Sequence, residues 1–269
     1  YRGISRDLPT DLLQSRVPKV RRRDLAPADH PDPELTWCPP GHGDLYPTLW
    51  SSGLLERMLE LDYRYLFVSN VDNVGATLDE RILAHFAASS APLLMEVARR
   101  THSDRKGGHL ARRRPGGELL LREVAQCPPD ELDDFQDIGR YEYFNTNNLW
   151  LRLESLRARL ATTGGFLDLP MIINRKTVNP TDPDSEPVYQ LESAMGSALG
   201  CLPGSEGLLV DRSRFLPVKN TTDLMLIRSD IYRLTPAPGL ERVSPGADPL
   251  IELDSRYYAM YSDYETRIP

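Results

Sequence analysis

The chain is poor in the features that mark the specialised classes of protein. It has three cysteines, Cys38, Cys127 and Cys201, far apart and without a CxxC pair. An odd, scattered set argues against a disulfide framework and makes a reducing cytoplasm the simplest home. Five histidines, His30, His42, His85, His102 and His109, show no zinc spacing such as HxxxH. No apolar run approaches the ~20 residues of a membrane helix, and the N-terminus lacks the apolar core of a signal peptide. Lys and Arg number 32 against 39 Asp and Glu, for a net charge of -7. Neutralising many phosphates takes a cationic excess, so broad nucleic-acid binding is disfavoured. There is no GxSxG elbow and no GxxxxGK[ST] loop.

What is present is ordinary globular material. The 269 residues are 40% hydrophobic and 26% charged, enough for one large α/β domain or slightly more. The chain begins at Tyr1 rather than Met, which is expected of a fragment or of the ordered part of a longer protein. Residues 1–40 are rich in proline and charge and read as an irregular, surface-hugging segment. A helix follows Gly41-His42-Gly43, with Leu54, Leu55, Met58 and Leu59 at helical spacing. YRYLFV, ending at Val68, has no alternation, so both faces of that strand are expected to be covered, as in a parallel sheet between helix layers. Thr77-Leu78-Asp79-Glu80 reads as a capping box. Gly116-Gly117 signals a hairpin into a strand at Glu118–Ala125. Leu169–Asn174 reads as a short buried strand, Tyr189–Leu199 as a helix, and Arg214–Val218 as a strand delivering Lys219 into a helix start. Thr235–Pro249 reads as a linker. The fold class is α/β, a mixed, mostly parallel sheet flanked by helices.

The stretch FVSNVDNVGATLD, Phe67–Asp79, has two readings. Asn, Asp and Gly suit any strand-to-helix turn for backbone reasons. An aspartate at a strand's carboxyl end also faces the crevice where ligands of open α/β sheets bind.

Six longer motifs occur in order: WCPPGHGDLYPTL, YLFVSNVDNVGATLD, LMEVARRTHSDRKGGHLAR, FNTNNLW, QLESAMG and RFLPVKNTTDL. Together they resemble the UTP–glucose-1-phosphate uridylyltransferase (UDP-glucose pyrophosphorylase) family from about Leu12 to Leu234. The resemblance implies a Rossmann-like nucleotide-diphospho-sugar transferase fold. It implies a central catalytic nucleotidyltransferase domain over 1–234, then a linker and the start of a C-terminal region over 235–269. The family's glycine-rich GGLGTxMG loop is not matched and would lie before Tyr1. Its C-terminal β-helix domain is expected beyond the end of the chain. Asn220 stands where the family has Thr.

The activity implied is Mg²⁺-dependent formation of UDP-glucose and pyrophosphate from UTP and glucose 1-phosphate, by in-line attack on the α-phosphate. The resemblance assigns Lys219 as the catalytic cation and Asp72 as metal ligand and nucleotide contact. Gly41 lies on uracil and Gln14 reads its edge, an amide offering both donor and acceptor. His42 reaches the sugar phosphate. Asn70, Gly108, Glu123, Asn145 and Asn147 serve the sugar, although the NTNN run equally suits turn chemistry. Lys176 is an additional phosphate contact. Two other readings stay open: transfer to another sugar 1-phosphate, and a non-catalytic UDP-sugar binding module.

Overall fold

The computed structural model describes residues 7–236, 239–246 and 248–268, Ser103 by its backbone alone. The proline-rich N-terminal segment carries the two-residue strands β1 (Val17–Pro18), β2 (Val20–Arg21) and β3 (Trp37–Cys38), with a 3-10 turn at Pro33–Thr36. Helices α1 (Leu45–Ser51) and α2 (Leu54–Glu60) follow, parted by Gly53. Then come β4 (Tyr65–Val68), α3 (Glu80–Ala88), β5 (Leu93–Arg99), β6 (His109–Arg112), β7 (Leu119–Arg122) and the one-turn α4 (Leu132–Phe135). The long strand β8 (Tyr143–Arg152) runs directly into α5 (Leu153–Thr162). The remainder is β9 (Met171–Thr177), β10 (Pro187–Ser193), β11 (Glu206–Leu209), α6 (Thr221–Arg228), β12 (Tyr232–Leu234), β13 (Leu240–Arg242), α7 (Ser255–Tyr258) and α8 (Tyr261–Arg267).

The main sheet has six strands in the order β11-β5-β8-β6-β7, with β4 also paired to β8. Side chains alternate across it, and both faces are covered. Leu93 and Met95 of β5, with Leu149 and Leu151 of β8, pack against Tyr46, Leu55, Met58, Leu156 and Leu160 from α1, α2 and α5. Leu94 and Trp150 face the other way, onto Ile82 and Phe86 of α3. The unbroken apolar runs are thus explained by two helical layers.

The mixed sheet between helices is as the sequence implies. Its parallel majority is one of direction rather than of pairing. Strands β4, β5, β6 and β11 run one way, but β8 inserts antiparallel among them, so β11–β5 is the parallel neighbour pair among the described strands.

Five local expectations change. Tyr189–Leu199 is not a helix: Pro187–Ser193 pairs along its length with β9, and a 3-10 turn covers Met195–Gly200. Gly196 and the small residues around it suit tight burial better than a helix interior. Strand β9 is not buried, because it lies at the edge of a separate three-stranded sheet, β2-β10-β9, with an alternating exposed face. The Thr77 capping box does not form. Asp79 caps α3 by accepting from the Arg81 amide, and the Thr77 hydroxyl accepts from Arg214 instead. Arg214–Val218 is a loop with a single antiparallel bridge, Asn73 to Pro217. The segment read as a linker includes β13, paired with β12, and Thr221 Oγ1 of α6 donates to Tyr258 O at 2.6 Å. No helix of the described residues is long and apolar enough to cross a membrane.

Candidate functional site

The polar loop after β4 and the NTNN stretch within β8 meet three other segments: Gln14–Ser15, Gly41–Asp44 and Ser193–Gly196. Gly41 has φ +81°, and a β-carbon there would lie 2.5 Å from Ser193 O. Glycine is therefore required twice, by its left-handed backbone and by the close approach of the 193 segment. The Ser193 amide donates to Pro40 O at 2.8 Å, fixing that approach. Gln14 Nε2 donates to Gly41 O at 2.8 Å. The Ser15 amide and the Thr48 hydroxyl both donate to Asp44 Oδ2, at 2.7 and 2.8 Å.

His42 Nδ1 accepts from the Met195 amide at 2.9 Å, which makes the neutral ring the Nε2–H tautomer. Its pKa is lowered, chiefly by desolvation, with Glu192 opposing. Gln14, His42 and Asn70 line one cavity of about 300 Å³ with Leu12, Leu45, Val68 and Met195. Apolar surface dominates its lining, with the Gln14 and Asn70 amides, the His42 imidazole, the Thr48 and Ser69 hydroxyls and the Asp44 carboxylate among it, which suits a flat heterocycle.

Met195 leads directly into the second group. A β-carbon on Gly196 would meet Asn145 Nδ2 at 2.8 Å, and one on Gly108 would meet Glu123 Oε1 at 2.5 Å. Asn145 is buried, its backbone N–H donates to Gly108 O at 2.9 Å, and its side-chain Nδ2 donates to Asn147 Oδ1 at 2.8 Å. The NTNN run is a bulge within β8. The register against β5 shifts between Met95 and Val97, and Asn147 takes φ +59°. A bulge re-aims side chains where a regular strand would alternate them. The turn reading of NTNN thus has a structural basis: Asn147 takes the left-handed backbone of the bulge, and its backbone amide and side chain hold the Asn145 side chain.

The Glu123 carboxyl has no hydrogen-bond partner among the described residues, and desolvation pushes it up to about 7. A folded pKa above the unfolded value of ~4.3 means that stability declines as pH rises through that interval. Glu123→Gln removes the titration. It is expected to raise Tm by ~2 °C or more at pH 8.5 relative to wild type, and to give no gain at pH 4.5, where both side chains are neutral. A gain of equal size at both pH values would show that Glu123 is not the titrating group.

The third group is the pair of charged residues. Asp72, half-buried, makes no side-chain hydrogen bond among the described residues. Its carbonyl accepts from the Val218 amide at 2.8 Å, and the Val74 amide donates to Leu216 O at 3.1 Å, so the loops bearing Asp72 and Lys219 run side by side. Lys219 is exposed, with its backbone amide on Asp223 Oδ2 at 2.8 Å and its ammonium free of ion pairs among the described residues. Asn220 caps α6 through the Asp223 amide at 3.0 Å, so asparagine does there what a threonine would do.

Lys176 stands apart. It lies exposed on β9, opposite Val188, and bonds to none of the other candidates. Sequence reasoning did not single out Asp44, Ser193 or Met195, which tie the first group together; Ser193 and Met195 sit inside QLESAMG, which reads as helical in the sequence but is strand and then turn in the structure. A larger open groove of about 1430 Å³, lined among others by Leu110, Arg112, Arg140, Tyr143 and Glu206, contains none of the candidates.

A mixed sheet between helix layers, with a polar crevice at its strand ends, is a nucleotidyltransferase-type architecture, and solved structures share it. A mutant UDP-glucose pyrophosphorylase of Leishmania major in complex with UDP-glucose superposes with a TM-score of 0.86 at 45% identity, over 94% of this chain and 56% of that one. The enzyme of Trypanosoma brucei gives 0.84 at 46% identity, over 94% and 57%. The family described as UTP–glucose-1-phosphate uridylyltransferase matches residues 2–269, and the chain belongs to it. The curated relative of that name from Saccharomyces cerevisiae is 40% identical over 95% of this chain and 51% of its own length. The one from Encephalitozoon cuniculi is 42% identical over 86% and 44%. The chain thus spans about half the length of the curated relatives it matches.

Proposed function

We propose that the protein carrying this chain transfers a uridylyl group from UTP to glucose 1-phosphate, forming UDP-glucose and pyrophosphate, and that this chain supplies most of the site. The observation that carries the reading is the backbone bond from the Val218 amide to the Asp72 carbonyl. It holds a carboxylate and an ammonium, both without partners among the described residues, on adjoining loops beside the cavity of Gln14, His42 and Asn70.

Uracil lies on Gly41, where the absent side chain leaves the backbone bare, and Gln14 reads its edge. His42 donates from Nε2 to the sugar phosphate. Asn70, Gly108, Glu123 and Asn145 hold the sugar hydroxyls, with Asn147 bracing Asn145. The 1-phosphate oxygen attacks the α-phosphorus in line as pyrophosphate leaves. No proton must move at the reacting centre, so positioning and charge carry the rate. Lys219 meets the charge that shifts from the attacking oxygen to pyrophosphate.

Among the described residues no three His, Cys, Asp or Glu side chains gather as a metal cage. A lone unengaged carboxylate fits Mg²⁺, which takes one or two carboxylates together with phosphate oxygens and water. Asp72 is the residue that would hold it, and the ion would supply Lewis-acid stabilisation of the phosphates.

The test is to supply the intact protein with UTP, Mg²⁺ and, separately, glucose, galactose and N-acetylglucosamine 1-phosphates. Pyrophosphate release is expected fastest with glucose 1-phosphate. Binding of UDP-glucose with no release from any of the three would make it a binding module.

Gly41 gives a sharper local test. Gly53 has a similar φ of +75° but open space around its missing β-carbon, whereas Gly41 abuts Ser193 O. Gly53→Ala is expected to cost only the left-handed strain, ~1–2 kcal/mol of stability. Gly41→Ala is expected to cost more and to raise KM for UTP as well. Equal Tm losses with unchanged KM would place uracil elsewhere.

A further inference from the structure

Glu96 lies on β5, on the sheet face covered by α3, and is 0% exposed. A carboxylate there needs every lone pair answered. Arg214 meets it with a fork, Nε at 2.5 Å from Oε2 and one terminal nitrogen at 2.7 Å from Oε1. Trp150 Nε1 adds a bond of 2.8 Å and Asn148 Nδ2 one of 3.1 Å. The same guanidinium also donates to Thr77 O at 2.9 Å. The carbonyl of Arg214 then accepts from Asn73 Nδ2 at 3.0 Å and from Asn148 Nδ2 at 3.2 Å. Asn73 Oδ1 accepts from the Leu216 amide at 2.8 Å and from the Gly75 amide at 3.2 Å. A β-carbon on Gly75 would come within 2.3 Å of Ser213 O, so the two loops touch without slack.

Asn73 is one residue from Asp72, and Leu216 is three from Lys219. We infer that Glu96, Arg214, Asn73 and Asn148 form a buried polar clamp that sets the spacing of the Asp72 and Lys219 loops, and are positioning residues for the transfer proposed above. Stability alone does not call for such a cluster, since well-packed apolar residues often serve a core as well as a buried ion pair. An ion pair and two amides do something apolar residues cannot: they fix one register between two loops that share only a single-residue bridge. Misplacement by about 1 Å far from the chemistry can cost a hundredfold in rate.

The inference rests on the proposed transfer, and two readouts keep the questions apart. Arg214→Lys retains a cation beside Glu96 but cannot also reach Thr77, and Asn73→Ala removes the link to Leu216. In the intact protein each variant is expected to lower kcat at least tenfold, with KM for UTP and the affinity for UDP-glucose within about threefold. Amide exchange at Val74 and Val218 is expected to quicken at least tenfold, while β5 and β8 amides keep their rates. Unchanged kcat with a lowered Tm would reduce the cluster to core packing, and so would parallel loss of kcat and UDP-glucose affinity. Unchanged exchange at Val74 and Val218 would overturn the clamp outright. Absence of UDP-glucose synthesis in the wild-type protein would sink the proposed function, and the exchange arm would then decide the clamp alone.

Discussion

Asp72→Ala is expected to abolish turnover while leaving the fold intact. The side chain contributes nothing to the core and makes no hydrogen bond among the described residues; only its carbonyl is used, by Val218. Removing the carboxylate removes the group that would hold Mg²⁺ against the phosphates, where a metal supplies several kcal/mol of transition-state stabilisation. About 4 kcal/mol is a thousandfold in rate. Asp72→Asn is expected to fail almost as completely, because it keeps the shape and loses the charge. Measuring rate against Mg²⁺ concentration, alongside thermal unfolding, separates a metal defect from a folding defect. Wild-type activity at ordinary Mg²⁺ in either variant would remove Asp72 from the site.

Lys219→Ala is expected to lower kcat by a hundredfold or more and to raise KM for UTP by much less. Uracil recognition by Gln14 and Gly41 is remote from the reacting phosphorus, so ground-state binding survives. Loss of a preorganised cation where charge develops costs on the order of 3 kcal/mol. Lys219→Arg is expected to rescue little, because a planar fork does not replace a compact ammonium. The free ammonium fits this role better than that of a structural lysine, which would have an acceptor in the fold. Steady-state kinetics with both substrates varied decide the matter, since a pure binding contact raises KM and leaves kcat alone.

How much of this was legible in the sequence depended on what each stretch had to satisfy. Strand β4 is legible because both its faces pack on apolar clusters, Leu66 and Val68 on one and Tyr65 and Phe67 on the other, which writes a continuous apolar run; β8 is not legible as a strand, since FNTNN interrupts its apolar residues. The β6–β7 hairpin was readable from Gly116-Gly117. The β9–β10 pair was misjudged because its partners, not its own periodicity, decide its state. MIIN lies exposed at an edge despite its hydrophobicity, and YQLES is held extended by pairing with it. The direction of β8 could not be read at all, since strand polarity leaves no mark on composition.

Most of the candidate site came from long motifs rather than from any single residue. Lone features such as Lys219 or Asn147 carry no signal without their neighbours. What the sequence could not show was the connection between groups. Asn73, Asn148, Glu96 and Arg214 stand 141 positions apart at the extremes of Asn73 and Arg214, and only folding brings them together. The Thr77 cap was misread for the same reason: Arg214 takes its hydroxyl from across the fold.

The central claim is a division of labour, with recognition at Gln14, Gly41, His42 and Asn70 and charge stabilisation at Asp72 and Lys219. Calorimetric titration of UDP-glucose into intact wild-type, Asp72→Asn and Lys219→Ala proteins, with turnover measured on the same samples, tests it most directly. The account predicts dissociation constants within about tenfold of one another, and turnover at least about a hundredfold lower in both variants than in the wild type. Loss of UDP-glucose binding in step with loss of turnover would contradict it.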